Sequence, residues 1–158
     1  MREVKSVDCI ILTASSGGHL EEIANLDPLE TFFEVILLTE KTSCDISSWY
    51  DKVYYVPQVN RKELKCVLKL ISNAFTSWKV LRCHKPAAVI STGALATIPV
   101  CLFAKLKGIK VIYIESFARM DSPSRTGRLM YKIADKTIVQ WAAVQKFYPN
   151  AIYGGSIF

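Results

Sequence analysis

Short apolar runs alternate with longer stretches of helical periodicity along this chain, and that alternation restricts its fold more than any other feature. The runs are Cys9–Ala14, Glu34–Leu38, Lys52–Val56, Ala87–Ser91, Lys110–Ile114 and Lys136–Gln140. Helices fit at Leu20–Glu30, Arg61–Cys83, Leu95–Lys107, Ser124–Ala134 and Ala142–Phe147. The runs are continuously apolar, as in strands buried on both faces. Strand and helix in turn require right-handed crossovers and a parallel sheet covered on both sides. We therefore expect one doubly wound, Rossmann-like α/β domain over residues 1–158, with ligands at the carboxyl ends of its strands.

One stretch imitates a membrane span. Residues 86–104, PAAVISTGALATIPVCLFA, carry no charge and are about long enough to cross a bilayer. Ser91, Thr92 and Gly93 interrupt the run, with β-branched residues before them and helical periodicity after. A buried strand, a turn and a helix fit better. The apolar run after Lys5 is too short for a signal peptide.

Charge and cysteines narrow the partners. Lys and Arg total 20 against 14 Asp and Glu, a net +6 that favours anionic partners. Nucleic acid is one such partner, but no helix-turn-helix, zinc or RNA-binding signature appears, and none is expected to bind. The five cysteines are scattered without a CxxC, and there are two histidines. No metal site is expected, and reduced thiols in a cytoplasmic setting are.

Three post-strand loops hold the candidate chemistry. In TASSGGH (13–19), Gly17 and Gly18 let backbone amides approach an anion, and a helix start there adds its unpaired N–H groups. A structural glycine turn is the alternative reading of the loop. The dinucleotide GxGxxG and the P-loop ending are absent, so Glu40 is only a weak imitation of a ribose-binding acid. His19 suits a general base or a capping residue. In STGA (91–94), Thr92 and Gly93 offer hydroxyl and amide groups to phosphate or sugar, or simply cap a helix. The segment 114–128, IESFARMDSPSRTGR, sets Glu115 at a strand end and brackets a Ser-Pro-Ser turn with Arg119, Arg125 and Arg128. Arginines and hydroxyls so spaced suit bidentate phosphate recognition; a solvated charged loop is the alternative. His84, at a helix end, reads as a surface residue complementing the dipole.

The helix from Arg61 gathers Leu64, Val67, Leu68, Ile71, Ala74, Phe75, Trp78 and Leu81 on one face, with Lys62, Lys65, Lys69 and Lys79 away from it. Two readings stay open: an ordinary crossover helix burying that face, or partial contact with an anionic membrane.

Together, SSGGHLEE, STGALATIPV, IYIESFARMDSPSRTGRLMYKIAD and VQWAAVQKFYPNAIYGG resemble one family over nearly the whole chain. It is the acceptor-side, membrane-recruiting subunit of split GT-B glycosyltransferases. Its members include the anchoring half of the eukaryotic UDP-N-acetylglucosamine transferase of dolichol-linked oligosaccharide synthesis and the bacterial PssD and CpsF proteins. More distantly, the chain resembles the N-terminal half of MurG. The resemblance implies a subunit that binds a lipid-diphosphate-linked saccharide and recruits a separate donor-binding subunit, which holds most of the UDP-sugar. The expected setting is capsule or exopolysaccharide synthesis, peripherally at the cytoplasmic face of the plasma membrane, without cofactor. By position, His19 and Glu115 become candidate bases, and Ser16, Gly17, Gly18, Thr92, Gly93, Arg119, Ser124, Arg125, Thr126 and Gly127 line the acceptor cleft. Tyr153, Gly154, Gly155 and Phe158 in the aromatic tail are expected at the partner interface. A non-catalytic scaffold and a free-standing nucleotide-binding enzyme are the alternatives.

Overall fold

A computed structural model describes residues 8–42, 46, 49–60, 63–64 and 66–158. Strands β1 (Cys9–Ala14), β2 (Glu34–Glu40), β3 (Lys52–Val56), β4 (Ala88–Ser91), β5 (Lys110–Ile114), β6 (Lys136–Val139) and β7 (Ile152–Tyr153) form one sheet. Its order is β3-β2-β1-β4-β5-β6-β7, and every pairing is parallel. The helices are α1 (Gly18–Ala24), α2 (Cys66–His84), α3 (Ile98–Leu106), α4 (Arg125–Ile133) and α5 (Ala142–Gln145). This is the doubly wound, Rossmann-like architecture that the alternation predicts.

Both faces of the sheet are buried, which explains the unbroken apolar runs. Ile11, Ile36, Val89 and Val111 pack against α2, α3 and α4 on one side. Ile10, Leu12, Leu37 and Ile90 pack on the other, against Leu20 and Ile23 of α1 and against Ile46 and Tyr50. The chain reverses its direction of winding between β1 and β4, so the loops after these two strands flank the crevice where such sheets bind ligands. The uncharged stretch 86–104 resolves into β4, a 3-10 turn at Leu95–Thr97 and α3. No helix among the described residues is long and apolar enough to cross a membrane.

The first helix, the last strand and the start of α2 depart from expectation. The expected helix Leu20–Glu30 stops at Ala24, and a separate 3-10 turn, Asp27–Thr31, carries Pro28 in its first turn. Proline supplies no N–H to continue an α-helical ladder. Strand β7 was not anticipated: two residues pairing with Ile138 and Val139 carry no pattern of their own. The expected start of α2 at Arg61 lies outside the described residues; Glu63 and Leu64 precede the helix, which begins at Cys66.

Helix α2 is inverted relative to an ordinary crossover helix. Its buried residues are Asn73, Ser77, Val80 and Leu81. Asn73 reaches the Pro57 carbonyl through Nδ2 at 3.2 Å, and Ser77 Oγ donates to the Asn73 carbonyl at 2.6 Å. Of the apolar stripe, only Leu81 is buried and Ala74 half-buried, whereas Leu64, Val67, Leu68, Ile71, Phe75 and Trp78 are exposed. The reading of this stripe as a core face is therefore corrected: the buried side of the helix carries Asn73 and Ser77 beside Val80 and Leu81. Leu102 and Leu106 of α3, which packs beside α2 with Trp78 edge-on to Phe103, are exposed too.

The inversion separates two substitutions that the sequence alone treats alike. Leu81 is 1% exposed, so Leu81→Ala costs about 2–5 kcal/mol in urea unfolding. Phe75 is 72% exposed, so Phe75→Ser changes stability by no more than about 0.5 kcal/mol. A large loss for Phe75→Ser would return that face to the core.

Candidate functional site

The loops at the carboxyl ends of β1, β4 and β5 enclose an open cleft of about 710 Å³. His19 lines it from the start of α1, Ala94 from the loop after β4, and Ser116, Ala118, Arg119, Pro123, Ser124, Arg125, Thr126 and Arg128 from the segment after β5. Of the expected cleft residues, His19, Arg119, Ser124, Arg125 and Thr126 thus come together. Among the described residues, Arg119, Arg125 and Arg128 enter no ion pair. Three guanidinium groups without a carboxylate partner around one cleft make a strong attractor for an anion with several oxygens. The helix N-terminus of α4 points the same way, with Ser124 as its cap: its Oγ accepts from Gly127 N at 2.7 Å.

The remaining expected residues shape the cleft from behind. Ser16 donates through N and Oγ to Glu40 Oε2, both at 3.3 Å, while Glu40 Oε1 accepts from Val59 N at 2.8 Å. Glu40 therefore ties the glycine loop to the segment after β3, and at 4% exposure it is not offered to a ribose. Gly17 takes φ +81° as N-cap of α1, and Gly18 opens the helix. Thr92 donates from Oγ1 to the His19 carbonyl at 3.0 Å, fixing the backbone beneath the imidazole. Gly93 has φ +107°, and a Cβ there would touch the Tyr113 ring at 3.4 Å and His19 Cε1 at 3.8 Å. The contacts themselves are ordinary, so it is the positive φ that favours glycine at this position. His84 lies away from the cleft, its Nε2 hydrogen-bonded to Tyr54 OH at 2.8 Å.

Glu115 is placed differently from the cleft base expected of it. It is 1% exposed and accepts hydrogen bonds from Tyr113 OH at 2.8 Å, Ser116 N at 3.2 Å, Ser124 N at 3.3 Å, Ser124 Oγ at 3.0 Å and Tyr148 OH at 2.5 Å. Burial, then the interaction with Glu115, pushes both phenols above their ordinary range, which keeps them protonated as donors. With its acceptor positions taken, this carboxyl clamps the end of β5, the start of α4 and Tyr148 rather than facing a ligand. Gly127 completes the clamp, because a Cβ there would lie 2.1 Å from Glu115 Oε2 and 2.5 Å from Tyr148 OH.

Two residues with cleft roles escaped the reading of the sequence. Ser116 lines the cleft directly, and its position beside Glu115 was the available signal. Glu22, one turn after His19 and 3% exposed, was hidden within an amphipathic stretch. At the far edge, Gly154 and Gly155 turn the chain back from β7: Gly155 has φ +72°, and a Cβ on Gly154 would meet Ile138 Cγ2 at 2.8 Å. Ile157 N then bonds Gln140 Oε1 at 3.0 Å, and the Phe158 ring packs on Phe117, 5.2 Å between centroids. Phe117 also stacks on Trp141 at 4.9 Å. Ile152, Tyr153 and Phe158 remain exposed.

A parallel doubly wound sheet with an open, arginine-lined cleft at its switch point defines a Rossmann-like α/β domain. The chain belongs to the family described as oligosaccharide biosynthesis protein Alg14 like, which matches residues 30–157. It is 29% identical over 178 residues to the human protein named UDP-N-acetylglucosamine transferase subunit ALG14, covering 94% of this chain and 82% of that one. The Schizosaccharomyces pombe protein of the same name is 24% identical, with the same 94% and 82% coverage. Among solved structures, Acinetobacter baumannii MurG aligns with TM-score 0.71 at 18% identity, over 87% of this chain and 43% of MurG. The UDP-N-acetylglucosamine 2-epimerase of Rickettsia bellii aligns with TM-score 0.74 at 13% identity, over 96% of this chain and 46% of the epimerase. The chain thus spans less than half the length of these two structures, and the likeness to them is one of fold.

The Glu115 clamp has a direct test. Gly127→Ala forces a methyl into filled space and costs about 1–3 kcal/mol, measured as a lower urea midpoint with an unchanged slope. Unaltered stability would mean that the packing around Glu115 is loose.

Proposed function

We propose that this chain is the acceptor-binding subunit of a two-component glycosyltransferase that extends a lipid-diphosphate-linked saccharide. The observation that carries the reading is the cleft: Arg119, Arg125 and Arg128, unpaired among the described residues, share it with one imidazole, His19. Membership of the Alg14-like family and the name "transferase subunit" borne by the relatives support it. In this reading the arginines and the Ser124–Thr126 helix start hold the diphosphate, and Ser16–Gly18, Thr92 and Gly93 shape the opposite wall. His19 removes the proton from the acceptor hydroxyl as that oxygen attacks the sugar. Glu115 keeps the arginine-bearing wall in place and does not itself take the proton. The UDP-sugar is held mainly by a separate donor-binding subunit, which docks on the exposed edge at Tyr153, Gly154, Gly155 and Phe158.

The exposed stripe of α2 supports peripheral membrane attachment. Val67, Ile71, Phe75 and Trp78 point outward, and Lys79 and Arg82 lie among the exposed residues of the same helix. Apolar side chains entering the headgroup region and flanking cations meeting anionic lipid are the two components of interfacial binding. Helix α2 leaves the carboxyl end of β3, so its first turns lie at the same end of the sheet as the cleft. A lipid-borne acceptor thereby reaches the arginines from the surface the helix rests on. We assign the site of action to the cytoplasmic face of the membrane. For the biological setting, the proposal is capsule or exopolysaccharide synthesis.

One reconstitution tests these roles together. The chain, a co-expressed donor subunit and anionic vesicles carrying the extracted lipid acceptor are supplied with radiolabelled UDP-sugar. The wild-type pair transfers label to lipid. His19→Ala loses turnover by about 10²–10⁴-fold while staying bound to vesicles and partner. Ile71→Ser with Phe75→Ser releases the chain from vesicles but leaves transfer to a short-chain soluble acceptor intact. Tyr153→Arg with Phe158→Arg abolishes co-purification with the donor subunit. Full turnover by His19→Ala would remove the imidazole from the chemistry and leave the chain a scaffold.

A further inference from the structure

One buried charge beside the cleft has no part in the scheme above. Glu22 follows His19 by one turn of α1 and faces inward with Leu20 and Ile23, 3% exposed. A carboxyl on the core side of a helix is costly unless its oxygens are hydrogen-bonded. Here Oε1 accepts from Ser116 Oγ at 2.8 Å and from Phe117 N at 2.9 Å, stapling α1 to the loop after β5. The other oxygen, Oε2, is buried with no partner, and so is Nδ1 of His19.

These two orphans are complementary. A neutral imidazole donates from one ring nitrogen and accepts at the other, whereas a carboxylate oxygen only accepts. They lie three residues apart on one helix, His19 lining the cleft and Glu22 buried behind it, and each has an unmet hydrogen-bonding need. Stapling α1 to the loop uses Oε1 alone, so a merely structural role leaves Oε2 unexplained. The third buried atom of this kind among the described residues, Asn73 Oδ1, sits apart on α2.

We propose that Glu22 is the positioning residue for His19: its Oε2 accepts a hydrogen bond from the Nδ1–H of the imidazole, directly or through one bridging water, and so presents the Nε2 lone pair to the cleft. This rests on the reading of His19 as the base. When Nε2 accepts the acceptor hydroxyl's proton, the oxygen's electron pair forms the new bond to the sugar, and the nucleoside diphosphate departs with the electrons of the old one. The imidazolium so formed sits against the Glu22 carboxylate, which stabilises it. The anchored backbone of His19 supports the arrangement, with Thr92 hydrogen-bonded to its carbonyl and Gly93 near its ring. The titratable groups that act on Glu22 are His19 and Glu115, while Arg119, Arg125 and Arg128 line the same cleft as His19. Burial, the largest influence, raises the Glu22 carboxyl above the ordinary glutamate range, against the hydrogen bonds from Ser116 and Phe117. Glu22 therefore ionises at a pH where ordinary glutamates have already done so.

The test needs neither donor subunit nor lipid. The chain has two histidines, so labelled imidazole gives two NMR signals, with His84, held by Tyr54, as internal reference. In the wild-type chain, the His19 signal follows the ionisation of Glu22 as an added inflection above the ordinary glutamate range, and its nitrogen shifts report the Nδ1–H tautomer. Glu22→Gln keeps an oxygen for Ser116 and Phe117 but turns an N–H toward Nδ1. The added inflection disappears, and the tautomer inverts to Nε2–H. An unchanged His19 profile and tautomer in Glu22→Gln would overturn the proposal. If that variant fails to fold, a wild-type His19 signal with no added inflection, or in the Nε2–H form, overturns it equally. Because the readout is independent of transfer, its failure leaves the acceptor reading standing, and failure of that reading leaves the coupled pair detectable.

Discussion

The functional end of this molecule depends on one buried carboxyl. Glu115 closes β5 and gathers donors from Tyr113, Ser116, Ser124 and Tyr148, groups spread over 36 positions of the chain from 113 to 148. A buried carboxyl demands such donors, and satisfying it fixes where α4 begins. That start sets Ser124 as the cap and aims Arg125 and Arg128, with Arg119 before them, at a common cleft. Gly127 is bound into the same constraint, since no side chain fits between Glu115 and Tyr148. The arginines are thus held by a rigid floor while carrying no internal counter-charge, which is what a receptor for a multivalent anion requires.

A second constraint comes from α2, whose buried side carries Asn73 and Ser77 beside Val80 and Leu81 while most of its apolar stripe faces outward. The helix gives up apolar burial on the sheet and presents that surface outward. Exposed apolar stripes of this length are rare on soluble monomers and mark contacts with membranes or partners. In the proposed account, the inverted helix, the arginine cleft and the aromatic edge at β7 serve one arrangement: lipid surface, anionic headgroup and donor subunit meeting at one end of the sheet.

The sheet was legible in the sequence because burial on both faces leaves a direct trace, unbroken runs such as CIILTA and EVILL. The loops carrying His19 and the arginines followed, since ligands collect at strand carboxyl ends. The orientation of α2 was not legible. Periodicity locates a stripe but not the side on which the sheet lies, and Asn73 and Ser77 declare themselves only through their bonds. The role of Glu115 was hidden for a similar reason. A carboxyl at a strand end reads as a site until Tyr148, 33 residues away, is seen to bind it. Glu22 does not stand out in the sequence because neither Ser116 nor Phe117 is near it there.

The account turns on what the isolated cleft binds. Titration calorimetry of the chain alone with a water-soluble short-chain prenyl-diphosphate saccharide, with UDP as competitor, addresses that directly. Saturable binding that weakens with salt, ignores UDP and is lost in Arg119→Ala with Arg125→Ala and Arg128→Ala is the result expected of an acceptor subunit. Tight binding of UDP, with no heat from the prenyl-diphosphate, would contradict it and make the cleft a donor site.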